Sequence, residues 1–117
     1  LQSTICQEAN LTGAQLQVAD LAEADLLMAD LTGANLAGAN LTSARLEAAV
    51  LKQADLALAR LSGANLKDAD FTDSNWWRAR GLSSADLVNL TKNFRPSTNA
   101  PAELQADFAV WLGRRTE

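Results

Sequence analysis

A leucine or an aromatic residue returns at every fifth position through more than half of this chain. Fourteen positions share the spacing: Leu11, Leu16, Leu21, Leu26, Leu31, Leu36, Leu41, Leu46, Leu51, Leu56, Leu61, Leu66, Phe71 and Trp76. A small residue stands two positions before each of them, from Ala9 to Ala69 and then Ser74. A fixed internal period of this kind predicts a repeat architecture in which each unit packs against its neighbours.

A period of five fits neither a regular helix nor a flat strand. In an α-helix, residues five apart are separated by about 140°, so the leucines would spiral around the axis. In a flat strand, an odd period would place successive leucines on opposite faces. All fourteen point inward only if every repeat contains a short extended piece followed by a corner. The glycines at 13, 33, 38 and 63 support this, because each lies two residues after a leucine, where a type II turn requires a positive φ.

The stretch ADLTGANLAGANL, from Ala29 to Leu41, resembles the pentapeptide repeat family, whose pattern is A(D/N)LXX. The resemblance covers about two-thirds of the chain in one register. It implies an all-β solenoid, a right-handed quadrilateral parallel β-helix with four repeats, and hence twenty residues, in each coil. Counting a degenerate first repeat centred on Cys6, the chain would form nearly four coils. At the strand spacing of about 4.8 Å, that is a rod of roughly 17–19 Å.

The repeat register fails at Gly81, so the sequence predicts two domains, a β-helix over residues 1–80 and a helical cap over residues 81–117. Ser83 and Asp86 form a capping-box-like start for a first helix. Its apolar residues follow at near-helical spacing: Leu87, Leu90 and Phe94. We expect the cap to cover the open edge of the last coil, which would otherwise promote aggregation.

A linker over residues 95–100 separates the two predicted helices, and Pro101 suits the first turn of the second. The apolar residues of the second helix recur at i, i+4, i+7 and i+8: Leu104, Phe108, Trp111 and Leu112. An aromatic stripe of this kind is typical of core packing rather than of a ligand site.

Composition argues against several functions. The net charge is −4, with ten acidic and six basic residues up to Arg80. This mild acidity disfavours nonspecific nucleic-acid binding, which needs a basic patch. No run approaches the eighteen apolar residues of a transmembrane helix, so we expect a soluble protein without a membrane span. The compartment stays open: cytoplasm, or periplasm or thylakoid lumen if a leader preceding Leu1 has been removed.

The sequence offers little for catalysis. It contains no histidine and no tyrosine, so the commonest general base and the phenolic acid are missing. The one cysteine, Cys6, is expected to be a small core residue, since no histidine can activate it. Asp68, Asp70 and Asp73 cluster in sequence, but acids on a solvated face lack the burial that shifts a pKa. We therefore predict no catalytic, cofactor or metal site.

The exceptions to a polar exterior are the candidate contact residues. Leu27 and Met28 are consecutive outward residues on one face of the predicted coil, and they form a candidate protein-contact patch. Val18, Leu58 and Trp77 share another face, and Leu58 and Trp77 are further candidates for a protein contact.

Three non-enzymatic functions fit these features. The first is a structural or interaction module that binds an unidentified protein partner or itself. The second follows from the resemblance, because some pentapeptide repeat proteins mimic duplex DNA and inhibit or protect DNA gyrase; here Val50 and Lys52 interrupt the acidic face. The third is an ordered-water or ice-binding surface on a threonine column that Lys52 breaks: Thr12, Thr32 and Thr72. The family is numerous in cyanobacteria, and many of its members have no assigned biochemical role.

Overall fold

The computed structural model describes residues 2–115. The first residue of the predicted β-helix, Leu1, and the last two of the predicted cap lie outside the described residues. Bridged repeats run from the N-terminal end to Arg80. A single 3₁₀ turn, Trp76–Arg78, interrupts the last repeat. Two α-helices follow, α1 at Ser84–Asn93 and α2 at Ala102–Arg115.

The chain closes one coil every twenty residues. Throughout residues 2–115, β-pairing consists of isolated parallel bridges between residues twenty apart. The bridges stack into four columns: Ile5–Asp25–Arg45–Asn65, Asn10–Asp30–Val50–Asp70, Gln15–Asn35–Asp55 and Asp20–Asn40–Arg60–Arg80. Since each repeat is five residues long, four repeats make one coil and each repeat forms one side of it.

In the repeat from Asp30 to Ala34, every backbone N–H has a partner. The N–H groups of Leu31 and Gly33 donate to carbonyls of the next coil, and that of Asp30 donates to a carbonyl of the preceding coil. The N–H of Ala34 closes a turn on the carbonyl of Leu31 at 3.0 Å. The remaining donor, the N–H of Thr32, bonds the Asp30 carboxylate at 3.0 Å. The coil therefore leaves no orphan donor in this repeat, which favours a rigid backbone.

The corners have a positive φ whether or not glycine is present. Up to Asp73, the second residue after each core residue has φ between 55° and 68°. Four of these residues are glycines, and ten further described positions after a core residue are not: Glu8, Val18, Glu23, Met28, Ser43, Ala48, Gln53, Leu58, Asp68 and Asp73. A left-handed conformation costs an L-residue roughly 1–2 kcal/mol. The hydrogen bonds between coils hold the backbone in this conformation where the residue type alone would not.

The core is one side chain wide. The leucines at every fifth position from Leu21 to Leu61 are at most 1% exposed, and the alanines two residues before them line the same interior. Each buried leucine contributes roughly 1.5–3 kcal/mol. In the first coil, Cys6, Leu11 and Leu16 are only half-buried, because the described residues cover them from one side alone. Phe71 and Trp76 complete the ladder and are almost fully enclosed.

The last repeat departs from the sequence-based expectation. Trp77 was expected to point outward from an ordinary corner, but the backbone forms a 3₁₀ turn in which the N–H of Arg78 donates to the carbonyl of Asn75 at 3.0 Å. Trp77 is only 5% exposed. The prediction that it faces solvent is wrong, because α2 packs over this corner and its indole lies 5.0 Å from the Phe108 ring.

Gly81 is the point at which the chain leaves the coil. Its φ is +82°, and a Cβ at this position would lie 2.8 Å from the backbone N of Ser62. A larger residue would therefore require both strain and displacement of the coil below.

The two helices pack on the aromatic end of the ladder. Ser83 caps α1, since its Oγ accepts a 3.0 Å bond from the N–H of Asp86. The Trp76 indole Nε1 donates to the carbonyl of Phe94 at 2.8 Å, and its ring meets Phe108 and Trp111 nearly edge to face. The last coil is thus in contact with both helices and with the segment between them.

Candidate functional site

Most of the outward Asp and Asn side chains are hydrogen-bonded to the backbone of their own turns. In nine repeats, a side-chain oxygen accepts a hydrogen bond from the N–H two residues later, at 2.9–3.3 Å. The acceptors are Asn10, Asp20, Asp25, Asp30, Asn35, Asn40, Asp55, Asn65 and Asp70. These Asx turns explain why Asp or Asn precedes the core leucine, and they commit one oxygen of each residue to structure.

Ion pairs join some of the columns. The guanidinium of Arg45 lies 3.2 Å from the Asp25 carboxylate, one coil away, and 3.3 Å from that of Glu47. Lys52 lies 3.8 Å from Asp70. Exposed pairs of this kind contribute little to stability. Their effect here is to break up the negative potential of the acidic columns.

The acidic groups with a shifted pKa are all held in the charged form. The Gln7 amide donates to Asp25 and holds the pKa of that carboxyl below its ordinary value. The Thr32 hydroxyl does the same for the pKa of Asp30. A general acid working near neutral pH needs the opposite shift. The shifts at Asp25 and Asp30 are therefore opposite to the one that such an acid requires.

The sequence-predicted contact residues do not form one site. Met28 is 46% exposed and Leu27 beside it is half-buried, so these two remain adjacent on one corner. Leu58 is 57% exposed on a different corner of the coil. Trp77 is buried under α2 and is not part of any surface. The structure therefore supports two separate apolar corners.

A carboxylate that the sequence analysis missed joins the last repeat to α2. Asp107 accepts bonds from the indole Nε1 of Trp77 and from the guanidinium of Arg78, both at 2.7 Å to Oδ2. The hydrogen bonds from Arg78, followed by that from Trp77, hold the pKa of Asp107 below its ordinary value despite partial burial. No periodic signal links residues about thirty positions apart, so this contact could not be predicted from residue spacing.

A polar groove lies between the edge of the last coil and α1. Its volume is about 950 Å³, and it is lined by residues 63–70 together with Asp86, Asn89 and Phe94 among others. It is open to solvent and brings together amides, carboxylates and the Lys67 amine. Across residues 2–115, no three metal-ligating side chains gather closely enough to hold an ion. Neither α1 nor α2, within residues 2–115, has the length and hydrophobicity of a membrane-spanning segment.

Comparison with known proteins settles the family. The sequence profile of pentapeptide repeats matches residues 5–38 and 39–75, in eight copies. The chain belongs to the pentapeptide repeat family. This confirms the resemblance, and members of the family fold as a right-handed β-helix. A search of curated proteins finds no match.

Several solved structures of pentapeptide repeat proteins are similar to this chain. AT2G44920 from the Arabidopsis thaliana thylakoid lumen is 28% identical, covers 96% of this chain and 76% of its own, and has a TM-score of 0.76. Rfr23 from the cyanobacterium Cyanothece 51142 is 38% identical over 57% of this chain and 49% of its own, with a TM-score of 0.49.

A third similar structure is HetL from the cyanobacterium Nostoc, which is involved in the regulation of heterocyst differentiation. It is 34% identical over 68% of this chain and 42% of its own, with a TM-score of 0.39. The chain thus spans less than half the length of two of these three proteins. Proteins of this family are generally non-enzymatic structural modules.

Proposed function

We propose that this chain is a non-enzymatic protein-interaction module that presents the rigid faces of its coil to a protein partner. One observation carries the proposal: the outward Asp and Asn side chains are bonded to their own turns, while the backbone is bonded from coil to coil. Such a surface is preorganised, so a partner binds it at little cost in conformational entropy.

The absence of chemistry in the sequence supports the same proposal. No histidine or tyrosine is present anywhere in the chain. The acids with altered pKa values are shifted downward by hydrogen bonds, as at Asp25, Asp30 and Asp107. Carboxylates held ionised in this way suit the recognition of positive charge better than the donation of a proton at neutral pH.

We propose that the corner at Leu27 and Met28 is the surface that contacts this protein partner. Above and below Met28, the same corner carries Glu8, Ala48 and Asp68. The apolar centre is therefore bounded by acids at both ends. A partner that fits this corner presents an apolar side chain flanked by lysine or arginine.

The test is the double variant Leu27→Ser/Met28→Ser. We expect its melting temperature to stay within about 2 °C of the parent, because outward residues add little to the core. Binding to the partner recovered with the parent protein should fall at least tenfold. The matched control is Lys52→Ser/Gln53→Ser, which changes the same two repeat positions on the neighbouring corner and should bind normally.

Two outcomes count against this proposal. Unchanged partner binding in the double-serine variant would remove Leu27 and Met28 from the contact surface. Potent inhibition of gyrase supercoiling by the purified protein would instead support DNA mimicry. We expect no such inhibition, because Val50, Lys52 and Arg45 interrupt the acidic columns, and the two cations among them neutralise part of the negative charge.

The proposal extends to the ends of the molecule. We propose nearly four coils, closed at one end by α1 and α2 acting as a cap. The contacts of Phe94 and Phe108 with the aromatic end of the ladder support this role. Deleting residues 101–117 should expose Phe71 and Trp76 and cause association, and a truncated chain that stayed monomeric by light scattering would contradict it. The thylakoid-lumen source of the Arabidopsis structure is compatible with a lumenal location.

A further inference from the structure

Through three successive coils, from Val18 to Leu58, one corner carries an uncharged column with its smallest residue in the middle. Val18, Gly38 and Leu58 occupy the same corner position in three successive coils. Val18 is 78% exposed and Leu58 is 57% exposed. Gly38 lies between them, and a Cβ there would stand 3.5 Å from Cγ2 of Val18. The column is continuous, apolar and low at its centre.

The next column along the same side has charges of opposite sign at equal distances from its centre. Asp20, Asn40 and Arg60 are bridged in series, one coil apart, and Arg80 follows Arg60. Asp20 and Arg60 therefore each lie about 4.8 Å from the level of Asn40 along the rod.

The charges of this second column form no ion pair within the described part of the chain. Among the ion pairs of residues 2–115, none involves Asp20, Arg60 or Arg80. Asp20 uses Oδ1 to accept a 3.1 Å bond from the N–H of Ala22. The two arginines are stacked one coil apart, an arrangement that repels and that an external carboxylate would relieve.

We propose that this side of the coil is an interface between two copies of the chain, packed antiparallel. A two-fold axis that lies in the interface, perpendicular to the rod and at the level of the second coil, reverses each column onto itself. It places Asp20 opposite Arg60 of the second copy and Val18 opposite Leu58 of the second copy. Gly38 meets its own equivalent at the axis, where the absence of a side chain lets the two backbones approach.

The neighbouring columns accept the same operation. In the column Gln15–Asn35–Asp55, the amide of Gln15 would face the carboxylate of Asp55 in the second copy. Thr42, at the level of the axis, would face Thr42 of the second copy. No like charges meet. Each contact occurs twice by symmetry, so a small patch gives two ion pairs and two apolar pairs.

The opposite side of the coil does not have this property. On the corner of Met28, acids stand at both ends of the column, at Glu8 and Asp68. An antiparallel second copy would bring these two acids together. The positive residue of the adjacent bridged column, Arg45, is already paired with Asp25 in the same chain. The Met28 corner therefore lacks the self-complementarity of the side that carries Asp20 and Arg60.

A second copy of the chain is one specific partner for the proposed interaction module. The self-interface rests on the proposed function only in that both use the coil as a recognition surface. The two proposals use different corners. Failure of the Leu27 and Met28 variant to lose a foreign partner would leave the self-interface intact, and failure of the self-interface would leave the foreign contact intact.

The experiment is sedimentation equilibrium of the full chain at low salt, over a concentration series up to about 1 mM, since small interfaces are weak. We expect the parent to dimerise. Asp20→Arg and Arg60→Asp should each weaken the dimer at least tenfold, because each places two like-charged pairs across the interface. The double variant Asp20→Arg/Arg60→Asp should recover an association constant within about threefold of the parent, since it exchanges the two charges.

Three further variants test the charge of Asp20, the apolar contact of Leu58 and the specificity of the Arg60 pairing. Asp20→Asn removes the charge but retains the oxygen that bonds the N–H of Ala22, so it should fold normally and dimerise severalfold more weakly. Leu58→Asn removes the apolar contact at a positive φ that asparagine tolerates, and it should also weaken the dimer. Arg80→Asp makes the same change in net charge as Arg60→Asp outside the proposed pairing, and it should not weaken the dimer.

A parent protein that remains monomeric throughout the series would overturn the inference. So would a double variant no more associated than the singles. Recovery in Asp20→Arg/Arg80→Asp instead of Asp20→Arg/Arg60→Asp would also overturn it, because the pairing would then lie at a different level of the rod.

Discussion

The indole Nε1 of Trp77 donates a 2.7 Å hydrogen bond to Oδ2 of Asp107, a residue thirty positions later in the chain. The same carboxylate accepts hydrogen bonds from the guanidinium of Arg78 on both of its oxygens. One side chain of α2 thus satisfies the buried indole donor and fixes the last corner of the coil. The contact between Arg78 and Asp107 is charge-assisted and bidentate, and hydrogen bonds of this kind are among the strongest in proteins.

Replacing Asp107 by alanine should lower the free energy of unfolding by about 1–3 kcal/mol, because the Trp77 donor would be left buried without a partner. The measurement is urea unfolding followed by tryptophan fluorescence. Glu103→Ala is the matched control, since Glu103 is an exposed acid on the same helix, and it should change stability by less than about 0.5 kcal/mol.

The Asp107 contribution should also depend on pH. Its folded pKa is lowered from an ordinary value of 3.8, first by the Arg78 hydrogen bonds. The stabilisation is therefore fully present above about pH 4 and is lost as the pH falls through the lower, folded pKa. The stability difference between the parent and Asp107→Ala should be constant from neutral pH to that point and narrow below it. A difference that widened in acid would contradict this assignment.

Ser74 should be the easiest position at which to stabilise the chain. It is 1% exposed, and its Oγ is buried without a hydrogen-bond partner within the described residues. The equivalent position is alanine in the thirteen preceding repeats from Ala9 to Ala69. Ser74→Ala should raise the free energy of unfolding by about 1 kcal/mol, because it removes an unsatisfied polar group. The exposed Ser62→Ala is the control, and equal effects of the two variants would refute the explanation.

Ala48 tests the cost of the left-handed corners. Its φ is +55° and it is exposed, so substitutions there change backbone strain without disturbing the core. Ala48→Gly should stabilise by about 0.5–1 kcal/mol, since relief of the left-handed strain exceeds the entropy that glycine adds to the unfolded chain. Ala48→Val should destabilise, because a β-branched residue tolerates this conformation least. Thermal melts that ranked valine above glycine would show that the corner is unstrained.

Gly81 should tolerate no side chain. Gly81→Ala combines a positive φ with an approach of 2.8 Å to the backbone N of Ser62, and we expect a loss of about 2–4 kcal/mol. Gly113→Ala in α2 is a control with the opposite expectation, because a Cβ there meets nothing within 4 Å and alanine favours a helix. The two variants should shift the denaturant midpoint in opposite directions.

Much of the β-helix could be predicted from the sequence because its interactions repeat at a fixed offset. The burial of Leu36 depends on Leu16 and Leu56, the leucines at the same position in the coils before and after it. The corners were only partly predictable. Glycine marked four of them, whereas Val18 and Leu58 take the same positive φ without any residue signal.

The outer contact surface was less accessible to sequence reasoning than the core. Leu27 and Met28 could be identified as an apolar pair, and the structure keeps them adjacent and accessible. The symmetry of Asp20 and Arg60 about Asn40 becomes visible only when residues twenty apart are stacked. The outward position predicted for Trp77 is wrong because α2, which lies outside the repeats, packs over this side chain.

The spacing of leucine and alanine by itself determined the coil, its interior and the position of each outward column. A five-residue period leaves no other way to bury every leucine, and each coil contacts only its neighbours. Tertiary structure alone decided how the coil ends. Trp76 bonds the carbonyl of Phe94, and Trp77 bonds Asp107, across separations that follow no period. These aperiodic contacts depend on how α1 and α2 pack against the last coil, so their partners are set by three-dimensional fit rather than by sequence spacing.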